Sequence, residues 1–187
     1  MGNRTANYTA FYVSEPFSES NLGAYATPDF VYYNQFRAWK AADSDFPFVD
    51  AHDKTYNVRD DSSWDTLKSR LHKRLDYSKN IILILSDNTK NSRALREEID
   101  YGINVKGLPI IVVYPDFKDK SEIWGPNRMK DSIIDLWNSV PLFRDNMDKV
   151  ATLHVPYNKS LIVNALNDSD FTVQSMTKPG KYHYRIS

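Results

Sequence analysis

Apolar residues recur along this chain in two rhythms, short unbroken runs and helix-spaced stripes, and the two alternate. The segment Tyr8 to Ser14 (YTAFYVS) is aromatic and β-branched and stops at Glu15-Pro16, as a strand feeding a loop does. Phe30, Val31, Tyr33, Asn34, Phe36, Arg37 and Lys40 then mix apolar and polar positions at helical spacing, which predicts a helix near 29–41. Phe46 to His52 (FPFVDAH) reads as a second strand, kept at a sheet edge by Pro47, which has no N–H to donate. Asp61 or Ser62 can cap the next helix, whose stripe is Trp64, Leu67, Leu71 and Leu75. Asn80 to Ser86 (NIILILS) carries five consecutive Ile or Leu residues, the signature of a parallel strand covered on both faces. Ser92 can cap a helix with Leu95, Ile99 and Ile103 on its buried line, and Gly107 stops it ahead of a strand at 109–114. After a polar loop at 115–130 come a short helix around Ile133 to Trp137, a last strand at 151–155 and a closing helix at 159–166. The tail from Asp168 fits a terminal hairpin or a loosely held arm.

Strands alternating with helices through long crossovers predict an α/β fold with a parallel sheet and helices on both faces. The five-stranded flavodoxin-like arrangement has strand order 2-1-3-4-5, and its ligand crevice opens where the order reverses, between the first and third strands. Residues 1–187 read as one domain, with a core at about 8–166 and a C-terminal extension at 168–187.

Composition narrows the chemistry. There is no cysteine, which rules out disulfides, thiolate zinc sites and a Cys nucleophile, and suits a reducing, cytoplasmic location. Lys and Arg number 24 against 24 Asp and Glu, so a general basic field for nucleic acid or anionic membrane is not expected. No run has signal-peptide or membrane-span length, and neither is expected. The glycine-rich dinucleotide fingerprint, the P-loop and the G-x-S-x-G elbow are all missing from the sequence.

The densest polar stretch, Ser86 to Glu98, leaves the central strand at the expected crevice. Ser86, Asp87 and Ser92 stand at a strand end and a helix start, where hydroxyls and backbone amides suit the phosphates and sugar of a nucleotide. Glu98 lies beside the Leu95 and Ile99 stripe, so its carboxylate is expected at the rim of the core with part of its hydration removed. Such a group could hold ribose hydroxyls and stabilise positive charge at an anomeric carbon. Spacing alone leaves open that Glu97 and Glu98 are both solvated helix residues. Asp50 with His52 could perform acid–base work, or belong to a turn. His72 is expected to be exposed and His154 packed or paired, with no metal-ligand spacing between histidines. The basic run Lys68, Arg70, His72, Lys73 and Arg74 reads as a solvated helix face.

The segment after the central strand resembles the Toll/interleukin-1 receptor (TIR) domain motif S-x-x-[aromatic]-x-x-S-x-W-C-x-x-E-[LI], with Ser86, Ser92, Glu98 and Ile99 at the matching positions. Thr89 replaces the aromatic residue, and Ala94-Leu95 the Trp-Cys pair. The first strand, ending in Ser14, is similar to the family's first box, and the overall pattern resembles TIR-like proteins of bacterial anti-phage systems such as Thoeris. The resemblance implies cleavage of NAD+ at the nicotinamide–ribose bond with Glu98 essential, NAD+ being substrate and no further cofactor needed. Phe11, Ser14, Asp50, His52 and Ser86 would line the dinucleotide. The product would be a cyclic ADP-ribose isomer or an ADP-ribose conjugate, a diffusible messenger that switches on a separate effector. A homo-oligomer is expected, since such sites are often completed across a subunit contact. The competing readings are a non-catalytic TIR-like interaction module and, ranked below it, a flavodoxin-like receiver or flavin protein; the acidic cluster of a receiver is absent where Ser14-Glu15-Pro16 stands.

Overall fold

The computed structural model describes residues 7–12, 29–51, 63–89 and 91–185, apart from the side chains of Phe11, Tyr12 and Phe30. Five strands form one parallel sheet in the order β1 (Tyr8–Tyr12), β2 (Ser78–Ile84), β3 (Ile110–Tyr114), β4 (Ala151–Pro156) and β5 (Gly180–His183). The register sets Ala10 beside Ile81, Ile82 beside Ile111 and Val112 beside His154. Because side chains alternate along a strand, Ile81, Leu83 and Leu85 enter one core and Ile82 and Ile84 the other. The first core is closed by α2 (Trp64–Asp76), α3 (Arg93–Asp100), α5 (Asp131–Ser139) and α6 (Pro141–Asn146), through Leu75, Leu95, Ile99, Trp137 and Phe143. The second is closed by α1 (Phe30–Ala42) and α7 (Lys159–Asn167), through Tyr33, Phe36, Ile162 and Leu166. The short helix α4 (Lys120–Ile123) follows β3.

Of the strand expected at 46–52, the described residues 46–51 occupy the expected place outside β1 but pair at one point only among the described residues. Thr9 N–H donates to Val49 O at 2.7 Å, and Thr9 and Asp50 form an isolated parallel bridge. Pro47 removes one donor, and burial of Phe46 and Phe48 in the second core holds the segment in place of a ladder. The β4 segment is not the last strand. Residues Gly180–His183 of the tail add β5 alongside it, Ala151 opposite Gly180 and His154 opposite His183. Its sequence GKYH has no apolar run, which an edge strand does not need.

The helix starts obey the capping logic. Ser92 Oγ accepts from Leu95 N–H at 3.0 Å. In α2 the cap is Ser63, one residue beyond the expected pair, since several neighbouring residues there are equally competent caps. Helix α3 widens into a π-helical turn over Tyr101–Lys106 and ends at Gly107, with φ at 64°, where Gly107 N–H donates to Ile103 O and Leu108 N–H to Gly102 O. An alanine at 107 would meet no neighbour but would have to hold the left-handed backbone. Gly107→Ala is expected to lose about 1 kcal/mol of stability, read as an earlier urea midpoint with an unchanged m-value. No helix of the described residues is long and apolar enough to cross a membrane.

Candidate functional site

At the C-terminal end of β2 the chain turns through Ser86, Asp87, Asn88 and Thr89 before α3. Ser86 Oγ donates to Asp29 Oδ1 at 2.8 Å, and Thr89 Oγ1 donates to Asp29 Oδ2 at 3.2 Å. The same turn is braced by Ser86 N–H to Thr89 Oγ1 at 2.9 Å and Asn88 N–H to Ser86 Oγ at 3.1 Å. Asp29 is fully buried at the start of α1. Burial pushes its carboxyl up from the usual range, the hydroxyls of Ser86 and Thr89 pull it back, and the charge of Asp116 adds to the rise. Thr89, at the motif's aromatic position, thus serves as an internal hydrogen-bonding post. Asp29 was not among the expected residues. Its signal was a cap-type residue directly before a helix, but here the carboxylate binds the strand end and makes no cap bond.

Glu98 lies on the other face of the sheet, within the helix pair α2 and α3. Leu67 and Leu71 of α2 pack with Ala94 of α3. One turn further along each helix come Arg74 and Glu98, buried to 9% and 6% exposure. This corrects two readings: Glu98 is not a solvated helix residue, and Arg74 does not belong to a solvated basic face. Arg74 follows Leu71 by three residues and adjoins Leu75, so helical geometry carries it onto the flank of the apolar stripe. Burial pushes the Glu98 carboxyl up to about 8, and the charge of Arg74 draws it partly back. No hydrogen bond or ion pair reaches the Glu98 carboxyl from any described residue, and Arg74 Nε is sealed from solvent without a partner among the described residues.

Glu97, one residue earlier, has the opposite environment. Lys68 Nζ lies 3.0 Å and His72 Nε2 2.8 Å from its Oε1. Partial burial works against ionisation there, but the hydrogen bonds from Lys68 and His72 hold the carboxyl below its usual range. His72, expected to be exposed, is three-quarters covered and stacks on Tyr101 with ring centroids 3.6 Å apart. Tyr101 stands one turn after Glu97, so the imidazole is held between carboxylate and ring. His154 is packed and paired as expected, its Nδ1 2.7 Å from the Tyr114 hydroxyl.

Asp50 sits at the sheet edge on the α1 face, where it accepts a hydrogen bond from the Tyr33 hydroxyl. With Arg37, Lys40 and Phe48 it borders a cavity of about 300 Å³. Asp87 is exposed in the turn after β2, and Ser92 is occupied as the α3 cap. Phe11 lies in β1 opposite Ile82, though its side chain is outside the description; Ser14 and His52 lie outside the described residues. The structure therefore joins Ser86 to Asp29 and Thr89, keeps Asp50 on that same face, and places Glu98 with Arg74 behind the sheet.

Comparison with protein families matches residues 8–120 to the family described as the TIR-like domain of the Thoeris protein ThsB. The matched span runs from β1 to the start of α4 and includes Asp29, Arg74, Ser86, Ser92 and Glu98. It takes in more than half of the 187 residues, and the parallel sheet with helices on both faces agrees with it. The chain belongs to the Thoeris ThsB TIR-like domain family.

Proposed function

We propose that this protein cleaves NAD+ at the nicotinamide–ribose bond and makes an ADP-ribose-derived messenger for an anti-phage defence system. The observation that carries this reading is Glu98, a buried carboxyl at the family motif position, with no hydrogen bond from the described residues to hold it. In the ligand-free fold burial keeps that carboxyl largely protonated near neutral pH. A cationic centre nearby favours the carboxylate, so stabilisation by Glu98 grows as positive charge develops on the ribose.

The step is a heterolysis. The C1′–N bond breaks, its electron pair leaves with nicotinamide and neutralises the pyridinium, and the ribose becomes oxocarbenium-like. Glu98 anchors the ribose hydroxyls and faces the developing charge. Water as nucleophile gives ADP-ribose, an internal adenine or ribose atom gives a cyclic product, and an amino-acid side chain gives a conjugate. The Asp29, Ser86 and Thr89 group fixes the turn from which α3 starts, and so the position of Glu98 along the sheet. The product acts as a diffusible signal to a separate effector, with the enzyme working in the cytoplasm as a homo-oligomer.

Mass spectrometry of small molecules from cells expressing wild type or Glu98→Gln, with and without phage, tests this. Loss of NAD+ and a new ADP-ribose derivative, both dependent on Glu98, are expected. Unchanged nucleotides in every sample, with folded protein and an effective phage trigger, would instead favour a TIR-like docking module without catalysis.

A further inference from the structure

The turn after α4 and the end of β5 border a cavity apart from both Glu98 and the Ser86 turn. It has a volume of about 640 Å³, opens to solvent, and is lined by Ser121, Trp124, Pro126, Lys130, His183 and Arg185. Small-molecule sites span roughly 300–1,000 Å³, and the cavity lies within that range. It stands at the β5 edge of the sheet, three strands from β2 and so about 14 Å across the strands from the Ser86 turn.

Its wall is held from behind. Ile123 and Met129 are buried on either side of the turn, Trp124 and Met129 form an antiparallel bridge, and Gly125 N–H donates to Arg128 O at 2.8 Å. Trp124 is thereby set against His183, with ring centroids 3.7 Å and planes 21° apart. His183 Nδ1 lies 3.1 Å from Tyr184 O, which only accepts, so Nδ1 carries the hydrogen and Nε2 is left over. Lys120 Nζ donates to Arg185 O at 2.6 Å and fixes the backbone that carries the Arg185 guanidinium.

The polar lining is one-sided. The Trp124 indole N–H and the Lys130 and Arg185 head groups only donate, and none has a hydrogen-bond or ion-pair partner among the described residues. Glu122, the carboxylate nearest in sequence, lies outside the lining and accepts from the backbone N–H groups of Lys118 and Asp119 at 2.6 and 2.8 Å. Two cations with no carboxylate facing them select an anion, and a stacked aromatic pair selects a flat ring beside it. Inorganic phosphate meets only the first requirement and an uncharged ring only the second. An aromatic base joined to phosphate meets both. We propose that this cavity is a nucleotide-binding site, in which the base stacks on the Trp124–His183 pair and the phosphate is held by Lys130 and Arg185. The site is separate from the cleavage proposed at Glu98 and does not rest on it.

Calorimetry on the full chain with AMP, GMP, CMP or UMP tests the site without requiring turnover. At least one is expected to bind with a submillimolar Kd, with its own nucleoside and inorganic phosphate each bound about tenfold or more weakly. Lys130 and Arg185 are exposed, so Lys130→Gln and Arg185→Gln leave the core intact, and each is expected to weaken binding by about tenfold. Trp124→Leu is expected to weaken it by roughly fivefold to a hundredfold, the range for a base stacked on an aromatic ring, in a protein whose circular dichroism matches the wild type. Glu98→Gln is expected to bind the nucleotide as the wild type does, whether or not NAD+ is cleaved. No binding of any of these nucleotides at millimolar concentration overturns the proposal, as does wild-type affinity in both Lys130→Gln and Arg185→Gln. Inorganic phosphate bound as tightly as the nucleotide also overturns it. So does binding that is lost in Glu98→Gln but kept in Arg185→Gln, which would put the nucleotide beside α3 instead.

Discussion

Glu98→Gln is expected to make the protein more stable while abolishing the proposed NAD+ cleavage. Between pH 4.5 and about 8 the folded chain keeps a proton on Glu98 that the unfolded chain has released. Stability therefore falls as pH rises across that window, by about 1.4 kcal/mol per unit of pH. The deficit is on the order of 3 kcal/mol at pH 7 and is complete above the folded-state value. Glutamine keeps the shape and stays neutral, so the deficit disappears. For a chain of this length the melting temperature of the variant is expected to rise by roughly 5–10 °C at pH 7. Near pH 5 both proteins hold a neutral group, and the two melting temperatures are expected to converge. A difference that does not change with pH would show that the Glu98 carboxyl is not held protonated by its burial. Such a stability deficit at one residue is a common mark of a group kept for function.

The second large effect is expected at Tyr114, away from Glu98. Trp137 Nε1–H donates to the Tyr114 hydroxyl at 2.8 Å. The indole can only donate, so the phenol oxygen accepts and its own hydrogen is directed to His154 Nδ1, 2.7 Å away. Burial holds His154 neutral, pushing it down to about 3, with Lys181 and His183 adding to the shift. Its remaining proton sits on Nε2, which has no partner among the described residues. Tyr114→Phe strands the Trp137 N–H and His154 Nδ1 together in the core, at about 1–3 kcal/mol for each group. A loss of roughly 2–5 kcal/mol is therefore expected in urea unfolding, and a loss below about 1 kcal/mol would mean that the three-residue chain is not formed as described.

The parts of the fold legible in the sequence are those with a strong period or a strict backbone requirement. The run Ile81 to Leu85 must be a strand buried on both sides, and it is the second of five in the sheet. The stripe Leu67, Leu71, Leu75 and the Ser92 cap located α2 and α3 to within a residue or so. Gly107 marked the end of the π-helical turn because only a residue tolerant of positive φ sits there comfortably. What stayed hidden depends on neighbours. Gly180–His183 pairs because β4 offers an edge, and the segment at 46–51 is held by Phe46 and Phe48 more than by hydrogen bonds.

The candidate site divides the same way. Glu98 stood out because the motif position and the helical stripe coincide there, and its burial is greater than rim placement implied. Arg74 was hidden inside a basic run whose other members point outward to varying degrees, although its spacing from Leu71 carried the information. Asp29 could be linked to Ser86 only by folding, since 57 positions separate them. Ser86 was placed at the strand end by sequence, but its hydroxyl is spent on Asp29, which gives it a bracing role in the ligand-free chain.

Release of nicotinamide from NAD+ by the purified protein, followed from about pH 6 to about pH 9 for wild type and Glu98→Gln, decides whether the Glu98 carboxylate carries the cleavage. The wild-type rate is expected to rise with pH and level off once Glu98 is ionised, near its value of about 8, with no release by the variant at any pH. Equal release by a folded Glu98→Gln protein would contradict that role of Glu98.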